Sequence, residues 1–322
     1  MKAYILHKIG SSANLKIENI EDPDPRSKEV VIKHTAIGIN FFDSSFRRGN
    51  YKLDKLPIIL GLEGVGVIES KGDEVKDFKI GDRVCYATGG FGSYAEKRVI
   101  NQNCLIPAPE NLSDDQIASS LLKGLTAHTL ITRVYNIKHA QRVLVHSAAG
   151  GVGQFLCNWI RHHKKEIIGT VGLDEKLEIA KASGCNHVIN YRKDDLVKKV
   201  DEITSGSGVN VVYDGIGKDT IHQSLACLYP MGICINHGDS SGITTDLDLN
   251  ELFFSSLYFT KPTMALYKST RSELILSAIE VFNALSNGIL RPDIKIFSFQ
   301  DIPKIHQLMD NKQNIGHYVV KF

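Results

Sequence analysis

The chain has 322 residues, a length for which two domains are the natural expectation. Apolar residues make up 43% and charged residues 23%, as in soluble globular proteins, and the formal net charge is only +2. This balance argues against nucleic-acid binding and against a strongly basic membrane face. Met1–Leu6 is not typical of a signal peptide, no apolar run could span a bilayer, and the six cysteines lie far apart. We therefore expect a cytoplasmic protein with free thiols.

Residues 1 to about 105 are rich in short apolar or alternating runs separated by Gly, Pro and Asp clusters. Regular short strands with tight turns predict a small barrel-like domain. Gly61–Gly66 resembles a glycine fingerprint, but a strand follows it where a helix should, which favours a structural turn. The predicted strands are Ala3–Leu6, Leu15–Asn19, Glu29–Ile39 and Val65–Ser70. The turn Lys79–Val84 should feed another strand, and Gly89–Glu96 should open a further one.

From Ser113 the pattern becomes helical and then alternates between strand and helix. A capping-box sequence, Ser113–Gln116, predicts a helix over Ile117–Leu122, and a second helix should run from about Leu125 to Val134. Repeated βα units imply a parallel, doubly wound α/β sheet. Its predicted strands are Val143–His146, Glu166–Val171, His187–Asn190, Val209–Tyr213, Gly232–Ile235 and Ser256–Thr260, with helices near 151–163, 174–183, 193–204 and 218–228.

After Lys261-Pro262 the pattern is helix (Ser272–Asn287), strand (Lys295–Ser298), helix (Ile302–Asp310) and strand (His317–Lys321). These terminal segments should rejoin the first domain, so the parallel-sheet domain is an insertion. The expected limits are 125–262 for the inserted domain and 1–124 with 263–322 for the other.

The turn Ala148–Gly153 joins an apolar strand to a helix, a geometry that brings backbone N–H groups to a phosphate. Gly150 would allow close approach of a pyrophosphate, and Gly153 close packing of helix on strand. The turn lacks the Gly-Lys-Ser/Thr of a nucleoside-triphosphate loop. A tight turn without a ligand is the alternative, but the βα units downstream favour a dinucleotide.

The second strand of the sheet ends at Gly172, where an NAD site usually has an acidic residue for the ribose 2′-hydroxyl. Asp174, two residues on, is expected to cap the next helix instead. A small residue with cations nearby suits a 2′-phosphate, which favours NADP. The cations are Lys176, whose alternative is a solvated surface lysine, and Arg192, which follows Tyr191.

A barrel-like domain, an inserted Rossmann sheet and a C-terminal return resemble the medium-chain dehydrogenase/reductase superfamily, and within it the quinone oxidoreductases related to zeta-crystallin. The resemblance covers essentially the whole chain and implies a GroES-like first domain. Its motifs are Gly38–Asp43, Leu122–Thr126, Ala148–Gly153, Gly169–Gly172, Ile189–Arg192, Val212–Asp214 and Gly238–Gly242.

The zinc-dependent alcohol dehydrogenases of that superfamily have a cysteine ligand where Asn40 stands and a histidine ligand where Leu62 stands. Asn and Leu cannot provide the ligands that zinc needs. The resemblance therefore implies no metal, and hydride transfer from NADPH directly to a quinone.

Residue roles follow from the same resemblance. Asn40 resembles a contact of the nicotinamide ribose, and Tyr51 an active-site tyrosine over nicotinamide and quinone, or else a half-buried turn residue. Lys123, unless it is a surface lysine, and Thr126 would start a helix at the cofactor cleft. His146 is expected to be a strand residue and not a catalytic base. The remaining cofactor-binding residues implied are Ala149, Gly150, Gly151, Val152, Gly172, Lys176, Tyr191, His237, Gly238, Ser240 and Ser241.

Three functions stay open on the sequence. The first is an NADPH-dependent quinone reductase, and the second is a reductase of enals or enones on the same fold. The third is a non-catalytic NADPH-binding protein with a structural or RNA-binding role, which a net charge of +2 does not support. The resemblance also implies a homodimer, formed through edge strands near Ser256–Thr260.

Overall fold

The computed structural model describes residues 1–313 and 315–322. These residues divide into two compact units. Unit 1 comprises Met1–Lys123, Lys268–Asn287 and Pro292–Phe322, and unit 2 comprises Gly124–Tyr267 and Gly288–Arg291.

The strands and helices are numbered in chain order. The strands are β1 (Lys2–Leu6), β2 (Leu15–Asn19), β3 (Glu29–Ile39), β4 (Ile58–Ile59), β5 (Glu63–Lys71), β6 (Arg83–Tyr86), β7 (Lys97–Asn101), β8 (Ile106–Pro107), β9 (Arg142–Val145), β10 (Glu166–Val171), β11 (His187–Asn190), β12 (Val209–Asp214), β13 (Leu228–Asn236), β14 (Tyr258–Thr260), β15 (Ile294–Ser298) and β16 (His317–Lys321). The helices are α1 (Phe41–Arg48), α2 (Asp114–Thr129), α3 (Gly151–His162), α4 (Leu177–Ser183), α5 (Leu196–Thr204), α6 (Ile221–Ala226), α7 (Asn250–Phe253), α8 (Met264–Tyr267), α9 (Arg271–Ser286) and α10 (Ile302–Asp310).

Unit 2 contains a six-stranded sheet in the order β11-β10-β9-β12-β13-β14, with every neighbouring pair parallel. Counted within the unit, this is the order 3-2-1-4-5-6 of a dinucleotide-binding sheet. The central strands are apolar runs buried on both faces, as parallel sheets require, and Leu144, Ile168 and Val212 lie in the core. The carboxyl ends of β9 and β12 meet where the strand order reverses, which is where ligands bind in such sheets.

Unit 1 is built mainly on antiparallel pairs. The long strand β3 pairs with β5, β7 and β16, and the path continues from β5 through β6 to β8. A smaller sheet has the order β2-β1-β4. The C-terminal strands β15 and β16 join this unit, because β15 pairs with β16 and β16 pairs with β3.

Several predicted elements are wrong in detail. Residues 114–129 form one helix, α2, where two were expected, and a π-helical turn, Leu130–Val134, follows it. Helix α1 was not predicted. The strand that Gly89–Glu96 was expected to open begins directly after it, as β7. The helices expected from 193 and 218 start later, as α5 and α6, whereas the helix expected over 174–183 consists of a 3-10 turn, Asp174–Lys176, followed by α4. In the described part of the chain, no helix is both long and apolar enough to cross a membrane.

Candidate active site

The turn between β9 and α3 is compact. Ser147 takes a left-handed backbone conformation, with φ of 53°, and its carbonyl accepts a hydrogen bond from the Gly150 N–H at 2.8 Å. A Cβ atom on Gly150 would lie 2.9 Å from Ser147 Oγ, and one on Gly153 would lie 2.1 Å from the Ser147 carbonyl oxygen. Gly153 therefore lets α3 pack directly against the turn, as its position in the motif predicted.

Three side chains surround the end of β10. A Cβ atom on Gly172 would lie 3.2 Å from the Tyr191 hydroxyl and 3.4 Å from Arg192 Nε. Lys176 is half-buried in the turn that follows, and burial lowers its pKa, with the Arg192 charge acting in the same direction. The structure thus places a glycine, a tyrosine and an arginine together, with a desolvated lysine in the adjacent turn.

Asp174 does not cap a helix, so this expectation is wrong. Its Oδ1 accepts a hydrogen bond from Asn190 Nδ2 at 2.6 Å, and its Oδ2 is paired with Lys193 Nζ. These two hydrogen bonds lower the pKa of the carboxyl group. Helix α4 begins at Leu177, with no side-chain cap. The carboxylate nearest to Gly172 in sequence is therefore already neutralised by a lysine.

The carboxyl end of β13 carries buried polar atoms that lack partners among the described residues. They are Asn236 Oδ1 and His237 Nε2. Burial lowers the pKa of His237 to about 4, so its ring is neutral near pH 7. The following loop is held by hydrogen bonds from Asn236 Nδ2 to the Gly238 carbonyl and from Ser241 Oγ to the Ile216 carbonyl, both 2.8 Å. Unpartnered buried polar atoms at a sheet's carboxyl edge are what a bound polar ligand would satisfy.

His146 lies inside a buried hydrogen-bond network directly after β9. Ser224 Oγ donates to Asp214 Oδ2 at 2.7 Å and therefore accepts from His146 Nε2 at 3.0 Å. His146 Nδ1 in turn lies 2.9 Å from Thr170 Oγ1. Both ring nitrogens are engaged in the core of unit 2, and burial lowers the pKa of the ring.

In unit 1, Asn40 is tied to a buried carboxylate. Asn40 immediately precedes α1, and its Nδ2 donates to Glu63 Oε1 at 2.8 Å. The same oxygen lies 3.3 Å from Lys123 Nζ, and Glu63 Oε2 accepts from the Leu122 N–H at 2.8 Å. Glu63 is fully buried, and Lys123 is only 7% exposed. Lys123 is therefore not a surface lysine.

Sequence reasoning assigned no role to Glu63, although Glu63 directly follows Leu62, the position at which the zinc ligand is missing. A Cβ atom on Gly38 of the neighbouring strand would lie 2.3 Å from Glu63 Oε1, so glycine leaves the room that this carboxylate occupies. Lys123 and Thr126 were expected at the start of a helix, but both lie in the second half of α2.

A second buried carboxyl group, Asp43, holds the N-terminus of α1. Its Oδ2 accepts hydrogen bonds from the Asn40 N–H at 2.9 Å and from the Tyr94 hydroxyl at 3.1 Å. Burial raises the pKa of Asp43 to about 7, and the neighbouring Glu63 carboxylate adds to this shift. Asp43 thus exchanges a proton near neutral pH while it fixes the backbone that carries Asn40.

The Tyr94 hydroxyl continues this network towards α10. Arg47 Nε donates to His306 Nδ1 at 3.1 Å, so the neutral imidazole carries its proton on Nε2, which lies 3.0 Å from the Tyr94 oxygen. Arg47 also binds both carboxylate oxygens of Asp310. Burial and the Arg47 charge lower the pKa of His306 to about 3.

Tyr51 lies in an aromatic cluster next to α1. Its ring centroid is 5.2 Å from that of Phe42 and 5.3 Å from that of Phe46. Phe46 also packs edge-on against Phe91. The ring is held by its neighbours, and the side chain is partly exposed.

These residues do not fit a catalytic zinc ion. The Asn40 amide N–H is donated to Glu63, and Leu62 has no ligand atom. Across the described residues, no three His, Cys, Asp or Glu side chains are grouped so that they could hold a metal ion.

Two known domain families match parts of the chain. Residues 26–110 match the alcohol dehydrogenase GroES-like domain, and residues 151–278 match the zinc-binding dehydrogenase domain. This pair of domains defines the medium-chain dehydrogenase/reductase class. Within that class, the chain belongs to the quinone oxidoreductase family.

Three relatives illustrate this membership. Quinone oxidoreductase 1 of Escherichia coli strain K12 is 37% identical over 314 residues, which cover 96% of each chain. A 2-haloacrylate reductase of a Burkholderia species is 37% identical over 326 residues, covering 99% of this chain and 98% of its own. The crystal structure of the Escherichia coli quinone oxidoreductase complexed with NADPH superposes with a TM-score of 0.97, at 36% identity and full coverage of both chains.

Proposed function

We propose that this protein is a zinc-independent NADPH:quinone oxidoreductase. The observation that carries the proposal is the hydrogen bond from Asn40 Nδ2 to Glu63 Oε1, at the position where zinc dehydrogenases have a ligand. An amide that donates its N–H to a buried carboxylate cannot also offer a metal a ligand atom in that direction. A carbonyl group without a Lewis acid is a poor hydride acceptor, whereas a quinone delocalises the negative charge that develops. Full-length similarity to quinone oxidoreductases supports the same reaction.

Unit 2 offers the groups that NADPH needs. The turn after β9 would hold the diphosphate through Ala149, Gly150, Gly151 and Val152. The adenosine 2′-phosphate would be held near Gly172 by Tyr191, Lys176 and Arg192. Asp174 would not repel it strongly, since its carboxylate is already paired with Lys193. The nicotinamide end would lie against the loop after β13, where His237 and Asn236 have buried unpartnered atoms. Gly238, Ser240, Ser241 and Thr126 complete the proposed cofactor-binding set.

Unit 1 would supply the groups that act on the reacting atoms. Bound NADPH supplies a hydride. The Glu63 carboxylate holds the Asn40 amide in a fixed orientation and Lys123 balances its charge, so Asn40 can present its carbonyl oxygen to the nicotinamide ribose. The Tyr51 ring, supported by Phe42 and Phe46, would lie over the quinone, and its hydroxyl would donate a hydrogen bond to the developing oxyanion. Rate enhancement would come mostly from orientation.

The second candidate is an NADPH-dependent reductase of activated alkenes. It is favoured by the similarity to a 2-haloacrylate reductase over 99% of the chain. The same hydride donor and the same hydrogen-bond donors would serve a conjugated alkene. A site for a haloacrylate would be distinguished by a cationic side chain that binds the carboxylate of the substrate.

The two functions separate in one panel of steady-state assays. NADPH or NADH oxidation is followed with 1,4-naphthoquinone, a 2-alkenal and 2-chloroacrylate. The proposal expects the highest kcat/KM for the quinone with NADPH. A higher kcat/KM for either alkene would favour the second candidate, and NADPH binding without turnover of any acceptor would favour a non-catalytic role. A preference for NADH of about tenfold or more would contradict the assigned cofactor.

We also propose that the protein is a cytoplasmic homodimer. Residues 125–262 would form the cofactor-binding domain, and residues 1–124 with 263–322 would form the catalytic domain. Strand β14 is an edge of the parallel sheet, and large apolar side chains close to it are exposed, with Phe254 at 88% and Tyr258 at 62%. A second copy would cover such a surface. Light scattering on the wild type and on Phe254→Glu tests this, because the variant should be monomeric. The six free thiols support the proposed location, because reducing compartments keep thiols unpaired.

A further inference from the structure

Two cysteine side chains of unit 2 are in direct contact. Cys157 Sγ and Cys185 Sγ lie 3.5 Å apart. Cys157 belongs to α3, and Cys185 follows α4 after Gly184. Both residues are buried: Cys157 is inaccessible and Cys185 is 8% exposed. The cofactor-binding residues assigned above do not include either cysteine.

The surroundings hold the two sulfur atoms at this separation. Asn158 Nδ2 donates to the Ser183 carbonyl at 2.9 Å, which ties α3 to the end of α4. The Asn186 N–H donates to the Ile167 carbonyl at 2.9 Å, which ties the next segment to β10. Cys185 Sγ also fills the space beside Gly169, where a Cβ atom would lie 2.4 Å from the sulfur. A disulfide requires the sulfur atoms to approach by roughly another 1.5 Å.

Only one of the two thiols borders solvent. Cys185 lines an open cavity of about 540 Å³, together with the four basic residues Arg161, Lys164, Lys165 and Lys181. Cys157 is not part of that lining. A small polar oxidant that enters the cavity therefore meets Cys185 first, and Cys157 lies behind it.

The positions of the two sulfur atoms also order the two steps. Contact with Cys185, and then burial, raises the pKa of the Cys157 thiol. An enclosed thiol in contact with a second sulfur meets its oxidised neighbour before it meets a dissolved oxidant.

We propose that Cys157 and Cys185 form a reversible redox modification site, at which a hydroperoxide oxidises Cys185 and Cys157 then closes an intramolecular disulfide. In the first step the Cys185 sulfur attacks the O–O bond, takes up one oxygen as sulfenic acid, and releases an alcohol or water. In the second step the Cys157 sulfur attacks the Cys185 sulfur, the S–O bond breaks, and the oxygen leaves as water with the thiol proton and the hydroxyl proton. A dithiol reverses both changes through thiol–disulfide exchange.

The test uses the full-length protein carrying Cys104→Ser, because Cys104 is more exposed than Cys185 and would add unrelated oxidation. After treatment with hydrogen peroxide and alkylation of the remaining thiols, peptide mass spectrometry should find residues 157 and 185 in one cross-linked species that lacks two hydrogen atoms. Dithiothreitol should abolish it. Because the bond restricts the unfolded chain, the oxidised protein should also show a Tm higher by a few degrees.

Two single variants assign the order of events. Cys157→Ser should accumulate sulfenic acid on Cys185, captured as a dimedone adduct, because the resolving thiol is missing. Cys185→Ser should form neither the disulfide nor an adduct on Cys157. Oxidation of other cysteines without the 157–185 cross-link in the Cys104→Ser protein would overturn the proposal. An adduct on Cys157 in Cys185→Ser as rapid as that on Cys185 in Cys157→Ser would overturn the order.

Discussion

Lys123 Nζ lies 3.3 Å from Glu63 Oε1 in the interior of unit 1, and 60 residues separate the two along the chain. The Glu63 side chain is wholly inaccessible and that of Lys123 is 9% exposed. The same carboxylate accepts a hydrogen bond from Asn40. A buried carboxylate thus holds together the lysine and the asparagine assigned to the active site, and its charge is balanced by only one of them.

Replacing Lys123 by methionine should be strongly destabilising, because it leaves Glu63 charged and buried without a cation. The expected loss in the free energy of unfolding is about 3–5 kcal/mol. Urea denaturation of the cofactor-free protein measures it. The matched control is the double variant Lys123→Met/Glu63→Gln, which removes both charges and should recover most of the loss. A single variant within about 1 kcal/mol of the wild type would contradict the pairing.

Asp43 should make the protein lose stability as the pH rises towards neutrality. Its pKa is about 7 in the folded protein against an ordinary value of 3.8, so between these values the folded state holds one proton more than the unfolded chain. The stability contributed by Asp43 is complete below pH 3.8 and is lost as the pH rises through 7. Asp43→Asn removes this dependence, so its stability relative to the wild type should increase by up to about 4 kcal/mol across that window.

Urea denaturation of both proteins at pH 5 and pH 8 checks this prediction. Histidines whose pKa is lowered by burial, among them His34, His146, His237 and His306, make stability fall as the pH drops below 6.5. They are present in both proteins, so the comparison cancels their effect. A constant difference between variant and wild type at the two pH values would show that Asp43 keeps an ordinary pKa.

Gly172→Asp should weaken the use of NADPH relative to NADH. A side chain at this position would point at the Tyr191 hydroxyl and Arg192 Nε, which are mobile ends that can give way. The new carboxylate would repel a 2′-phosphate and could accept a hydrogen bond from a 2′-hydroxyl. The ratio of kcat/KM for NADPH to that for NADH should fall by about tenfold or more. Gly172→Ala adds the Cβ atom without the charge, and an equal fall in that control would trace the effect to shape.

The architecture of the fold could be predicted from the sequence because the patterns that indicate it are local. Alternating βα units with a small-residue turn predict the parallel sheet, and the observed order of β9 to β14 confirms it. Helix α1 was missed because Phe41–Arg48 is short and because Asn40, the residue that caps its N-terminus, was considered only as a cofactor contact. Ion pairs between residues that are distant in sequence could not be predicted either. The Lys193 partner of Asp174 and the Glu63 partner of Lys123 depend on tertiary contacts that no spacing rule encodes.

Tyr51→Phe should lower the reduction of quinones without affecting the fold. The ring packs against Phe42 and Phe46, and phenylalanine retains those contacts. Loss of the hydroxyl removes a hydrogen bond to the developing oxyanion, so kcat/KM for a benzoquinone should fall by more than about twofold. Because the change affects the transition state, kcat should fall and KM for NADPH should stay constant. A kcat/KM within twofold of the wild type would remove Tyr51 from the reaction and leave it as a packing residue of the aromatic cluster.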